Sequence, residues 1–198
     1  MNTSHLDNIE TRLTPESKLK QQDPPLYIAK KIGEDTNSSF YDMIFKGGRK
    51  PVGFSIPLRT LKTGIGYMMS RPTKLTAIKD ADVQYKVIRN YFKALKEWEP
   101  DSWDTPKEHI MLRGAGLWAI CFIGADVIDK SLSEGKFESN QMLKILKSGK
   151  KWNWSNKGNF SGLSGRGGAV NISDEVTSEF KISGKISLKD VIEKIINS

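Results

Sequence analysis

The chain has 198 residues, with 31 Lys and Arg against 23 Asp and Glu, a net charge of +8 and a pI near 9.4. That length suits one domain with a real core, and the positive balance favours an acidic partner such as nucleic acid. One cysteine excludes an internal disulfide, while a polar start and the lack of any apolar run of bilayer length give a cytoplasmic protein with no membrane association as the expectation.

Residues 1–16 are polar, with Leu6, Ile9 and Leu13 as the only anchors, and read as a flexible arm ahead of a single helical domain at 17–198. A helical turn at Leu19 to Gln22 precedes Asp23-Pro24-Pro25. Leu26, Ile28, Ala29 and Ile32 then mark a short helix ended by Gly33. Ser38 or Ser39 is a candidate cap for another, carrying Phe40, Met43 and Ile44 and closed by Gly47-Gly48. Arg49 to Ile56 alternates weakly between Pro51 and Pro57 and is the best strand candidate of this half. Leu58, Leu61, Ile65 and Met68 return to helical spacing.

Two long helices should organise the rest. Val83, Val87, Ile88, Tyr91, Phe92, Leu95 and Trp98 make one apolar stripe, and Pro100 ends it. Asp104 or Thr105 followed by Pro106 is a start signal for the second helix, expected at about 106–130. Its segment Gly114 to Ala125 holds twelve consecutive uncharged residues. A helix with no polar face belongs inside a core, and its small residues allow close neighbours. Cys121 lies there and reads as inert packing.

Beyond it, Phe137 to Leu146 suggests a short helix. Residues 149–169 are rich in glycine and read as a loop, with one extended edge near Trp152. Asn171 or Ser173 should cap a helix carrying Val176 and Phe180, and Ser187-x-x-Asp190 resembles a capping box ahead of Leu188, Val191, Ile192, Ile195 and Ile196. The expectation is therefore a mainly α, single compact domain around a buried helix, with few short strands.

The charge is unevenly spread. Ser139 to Ser173 contains no Asp or Glu but holds Lys144, Lys147, Lys150, Lys151, Lys157 and Arg166, six of the eight excess positive charges. Lysines neutralise phosphates, Trp152 and Trp154 are candidate stacking groups, and glycines admit an anion to the backbone. The alternative is a solvated basic surface with the tryptophans packed on the core, which alternation in Trp152-Asn153-Trp154 suits equally well. Lys46 to Lys50 is a smaller basic stretch that would extend the same surface. No Walker or dinucleotide pattern occurs. His5 and His109, with one cysteine, show no metal-ligand spacing, and His109 reads as ordinary surface. No catalytic residue, metal or cofactor is assigned, and the expectation is a non-enzyme.

DPPLYIAKKIGEDTNSSFYDMIFKGG, the IPLRTL run, VIRNYFKALKEWEPDSW with LRGAGLWAI, and WNWSNKGNFSGLSGRGGA together resemble the region downstream of the core in DGQHR-domain proteins. These are the DndB-like group related to ParB and sulfiredoxin folds, and the resemblance covers roughly residues 14–180. The Asp-Gly-Gln-His-Arg signature itself is absent, so no role of that motif carries over. The resemblance implies a DNA-binding regulator of a DNA modification or defence system of the phosphorothioation kind.

The leading expectation is thus DNA binding, ahead of RNA, by Lys144, Lys147, Lys150, Lys151, Lys157 and Arg166 with Trp152 and Trp154. Six phosphate contacts would give a salt slope of about −5, and changing Lys150 and Lys151 together to Glu should abolish binding. The alternative is a protein–protein scaffold module completing a larger DGQHR-type complex, docking through the arm at 1–16 and the helix from Ser187 to Ile196.

Overall fold

A computed structural model describes residues 14–48, 52–180 and 188–197. Among them are ten helices and one two-stranded sheet, so the fold is mainly α. Most of the arm expected at 1–16 lies outside the described residues, as does the Ser187 part of the expected capping box.

Thr14 caps α1 (Pro15–Gln22) by accepting from the Ser17 amide, and Asp23 caps α2 (Pro24–Glu34) by accepting from Leu26. Both helices open on prolines, whose missing amide costs nothing in a first turn. α2 buries Tyr27, Ile28, Ala29 and Ile32. The helix expected after Ser38 does not form. Ser38 Oγ instead accepts from Phe40 N in a tight turn, and Asp42 adopts a left-handed φ of 57° that breaks helical progression. The chain enters β1 (Ile44–Phe45), which pairs in parallel with β2 (Ile56–Pro57). The strand expected over 49–56 is thus only its last residue plus Pro57, with 49–51 outside the described residues.

α3 (Leu58–Met69) leads through the single turn α4 (Lys74–Ala77) to α5 (Ala81–Trp98), whose start Asp80 caps twice, at Asp82 N and Val83 N. α5 ends at Trp98 with Glu99 as its C-cap, just ahead of Pro100, and α6 (Asp101–Asp104) is one further turn. The central helix is present, but as α7 (Gly114–Ser133) rather than from Pro106. Residues 108–110 pair instead with the loop at 154–156: Ile110 N donates to Trp154 O at 2.9 Å and Asn156 N to Glu108 O at 2.8 Å. Those tertiary bonds occupy the backbone that the local start signal would have made helical, and Gly114 at φ 47° bars backward extension.

α7 is the post of the core. Leu117, Ala119, Ile120, Cys121, Ile123, Ala125, Val127 and Ile128 are fully buried, and α3 and α9 (Gly165–Thr177) pack along it. Its small residues do what their size implies. A Cβ at Gly124 would fall 2.5 Å from Met68 Cε and 2.6 Å from Tyr91 Cε1, so only glycine admits both neighbours. Burial pushes the Cys121 thiol far above its ordinary pKa, which matches an inert core residue. No described helix is long and apolar enough to cross a membrane.

α8 (Ser139–Leu146) covers α5. α9 begins at Gly165 with Ser164 as its N-cap, not at Asn171 or Ser173. Glycine costs about 1 kcal/mol in a helix, yet Ala169, Ile172 and Val176 are buried there and hold Arg166 to Gly168 helical behind Gly165, which opens the helix at a left-handed φ of 63°. α10 (Leu188–Ile196) turns Ile195 fully inward, and Lys86 Nζ donates to the Ile195 carbonyl at 3.1 Å. Ile195 is therefore engaged by its own chain, which removes it from any docking surface.

A polar seam ties α1, α2 and α5. Asp82 accepts from Lys20 and Lys31, each at 2.6 Å, and from the Tyr27 hydroxyl. Asp35 accepts from the Tyr85 hydroxyl and from Arg89 at 3.3 Å. Burial pushes both carboxyls up, but these donors outweigh it: Asp82 is held well below the usual range and Asp35 at about 2. A carboxyl depressed on folding contributes stability that is complete above its unfolded value of about 4 and is lost as pH falls below it. The melting temperature should therefore drop on acidification from about pH 4 downward. Asp82→Asn should melt lower than wild type at neutral pH and lose less on acidification, and parallel melting curves against pH would contradict this role.

Candidate functional site

The six cations of the 144–168 segment are spread over several places in the fold. Lys144 and Lys147 lie on α8 and at its end, both exposed. Lys150 sits 3.9 Å from the Glu179 carboxylate and 3.9 Å from the Trp152 ring centroid. A Cβ at Gly149 would touch Glu179 Cβ at 3.1 Å, so this end of α8 lies at the end of α9. Arg166 is at the opposite end of α9, one helix length of about 20 Å away. There its guanidinium lies 5.4 Å from the Tyr67 ring, which meets Trp118 edge-on at 5.7 Å.

Trp152 and Trp154 are not stacking platforms. They are 3% and 1% exposed, and both rings close on Phe160, at 5.1 and 4.8 Å. Trp154 also meets Trp98 of α5 at 6.1 Å. With period-two alternation both rings share one face, and here that face is the core. Lys46, from the smaller basic stretch, pairs with Glu34 at 2.5 Å.

What the fold does gather is positive charge at the N-terminal end of α7. A cleft of about 560 Å³ is lined by Gly53 to Pro57, Thr60, Lys107, Leu112, Arg113, Gly114 and Trp118, with no carboxylate among them. No side chain caps α7, so the partial positive charge of a long helix faces outward at this point. Arg113 is held by its Nε bond to the His109 carbonyl at 2.9 Å and by a short bond to Asn156 Oδ1. Asn156 Nδ2 in turn donates to the Lys107 carbonyl at 2.9 Å, which brings Lys157 to the same rim. Arg166 lies over the Tyr67 ring, which in turn meets Trp118 of the cleft wall. Lys107, Arg113, Lys157 and Arg166 form no salt bridge among the described residues, and Lys107, Lys157 and Arg166 are exposed. Lys107 and Arg113 carried no signal in the sequence, because both are brought to Lys157 by a bridge spanning more than forty residues.

A second cleft of about 370 Å³ opens beside the same loop, lined by Glu99, Asp101, His109, Lys151, Trp152, Asn153 and Asn159. Lys151 thus faces carboxylates instead of a free basic surface. Glu99 is nearly buried at the C-cap of α5. Burial foremost, then the Asp101 charge, pushes its carboxyl above the usual range, with Lys151 and His109 pulling the other way. His109, expected as ordinary surface, is fixed by the antiparallel bridge to Ser155 and by Thr105. The fold therefore assembles an acid–acid–imidazole set that spacing alone did not reveal: Glu99 and Asp101 flank Pro100, and the loop returns His109 to them. The two clefts are the chemically distinctive places on this molecule. No family model matches the chain, and no curated protein or solved structure matches it.

Proposed function

We propose that the protein binds DNA through backbone phosphates at the cleft around the N-terminal end of α7, without catalysis. The observation that carries the reading is the meeting of a long helix that has no side-chain cap with Lys107 and Arg113, in a cleft that no carboxylate of the described residues lines, with Lys157 and Arg166 exposed on the flanking loop and helix. Helix N-termini and guanidinium groups both favour phosphate oxygens, the first through oriented amides and the second through a bidentate fork. Such contacts position a duplex and carry no sequence information, so the binding is governed by charge and shape. A regulatory place in DNA modification or defence is supported by the DGQHR-type resemblance.

Compared with six contacts, four give a weaker salt dependence. The logarithm of the association constant for a labelled duplex should fall against log salt with a slope of about −3.6, at −0.9 per phosphate. Fluorescence anisotropy over a salt series measures it. A slope near zero, or no association at low salt, contradicts the reading. The scaffold alternative, in which a protein partner completes a larger complex, predicts that indifference to DNA together with co-purification of a partner.

A further inference from the structure

The Glu99–Asp101–His109 cleft plays no part in phosphate binding, and its geometry is that of a ligand set. Glu99 is only 7% exposed, yet its carboxylate lines the cleft with no hydrogen bond or salt bridge from any described residue. Lys151 lines the same cleft but comes within 4.0 Å of neither carboxylate. That carboxylate opens onto the cleft with no cation of the described residues within 4.0 Å of it.

His109 is prepared in a second way. Its Nδ1 lies 3.1 Å from the Thr105 carbonyl and 3.2 Å from Thr105 Oγ1. A carbonyl only accepts, so Nδ1 carries the proton and Nε2 keeps its lone pair, the arrangement by which metal-ligating histidines are oriented from behind. Third, one ligand atom from each of Glu99, Asp101 and His109 lies within 4.8 Å of the others. Three ligands at about 2.0–2.2 Å around one tetrahedral cation stand about 3.3–3.6 Å apart, so binding draws the set together, the exposed Asp101 side chain moving furthest.

We propose that Glu99, Asp101 and His109 bind one divalent first-row transition-metal cation. Two carboxylates and a neutral imidazole balance a 2+ charge, and nitrogen with hard oxygen suits zinc, manganese or iron in the divalent state. Three protein ligands leave a coordination position open to the cleft, where water or an anionic oxygen binds beside Lys151. The side chains of this site are not those assigned to phosphate, so metal uptake and DNA binding are read by separate measurements.

The test uses chelator-treated full-length protein titrated with zinc chloride in a calorimeter, with cobalt(II) absorption as a second readout. One equivalent should bind with micromolar or tighter affinity, and cobalt should give visible bands of low-symmetry nitrogen–oxygen coordination. Glu99→Gln and His109→Gln should each weaken binding at least ten-fold, and the pair should abolish it. Circular dichroism of the metal-free variants checks folding. Should either variant unfold, Asp101→Asn, on an exposed side chain, is expected to weaken binding ten-fold in a folded protein. No stoichiometric uptake, or uptake unchanged by these substitutions in folded protein, overturns the assignment.

Discussion

Trp154→Ala should destabilise the fold by about 3–5 kcal/mol, the range for emptying a buried aromatic site. The indole is 1% exposed and joins Trp98 at the end of α5 to Phe160 in the loop. Its carbonyl accepts from Ile110, so the same residue fixes the segment that leads into α7. Removing the ring would leave Phe160 and Trp98 without their shared neighbour and loosen the loop that carries Lys157. Trp154→Phe makes the sharper comparison. Trp154 Nε1 is buried with no hydrogen-bond partner among the described residues, so phenylalanine deletes an unsatisfied donor while keeping most of the apolar contact. It should cost far less than alanine. Chemical denaturation of the three proteins measures this, and equal losses for both variants would mean that ring packing is not what the residue supplies. A stacking platform on the surface would show the opposite pattern, with little stability change and a large loss of binding.

The second large effect concerns charge. Lys107→Glu, Lys157→Glu and Arg166→Glu combined should weaken duplex binding by at least about 100-fold and flatten the salt slope by about 2.7, for three lost phosphate contacts. All three side chains are exposed and none makes a salt bridge among the described residues, so thermal stability should hardly change. Lys150→Glu with Lys151→Glu is the matched control. Lys150 already lies near Glu179, and Lys151 faces Glu99 and Asp101. At physiological salt the screening length is about 8 Å, so charges outside the cleft act weakly on a phosphate inside it. This pair should alter binding by less than about three-fold. If the control abolishes binding and the triple variant does not, the phosphate site lies on the 144–151 surface instead.

The sequence made some of this plain and hid the rest for identifiable reasons. The apolar stripe from Val83 to Trp98 and the uncharged run from Gly114 to Ala125 announced α5 and the body of α7, because periodicity and burial there agree. α7 starts eight residues after the Pro106 signal, since that signal is local and the bonds from 108–110 to 154–156 are not. α9 was hidden by Gly165, Gly167 and Gly168, whose low helix propensity is overridden by packing on α7. The concentration of lysine was legible, but its distribution depends on the length of α9, which sets Arg166 apart from Lys150. Alternation placed Trp152 and Trp154 on one face and could not say which way that face turned. The acid–imidazole set needed the return of the chain from Asp101 to His109, which no residue pattern encodes.

The most direct test of phosphate binding at the head of α7 is a titration of isotope-labelled protein with a short duplex, followed through backbone amide shifts. The largest changes should fall on Arg113, Gly114, Ala115 and Gly116, with Lys107 and Lys157 next and residues 144–151 nearly still. Shifts gathered on 144–151, or spread with no focus at Gly114, would contradict the account.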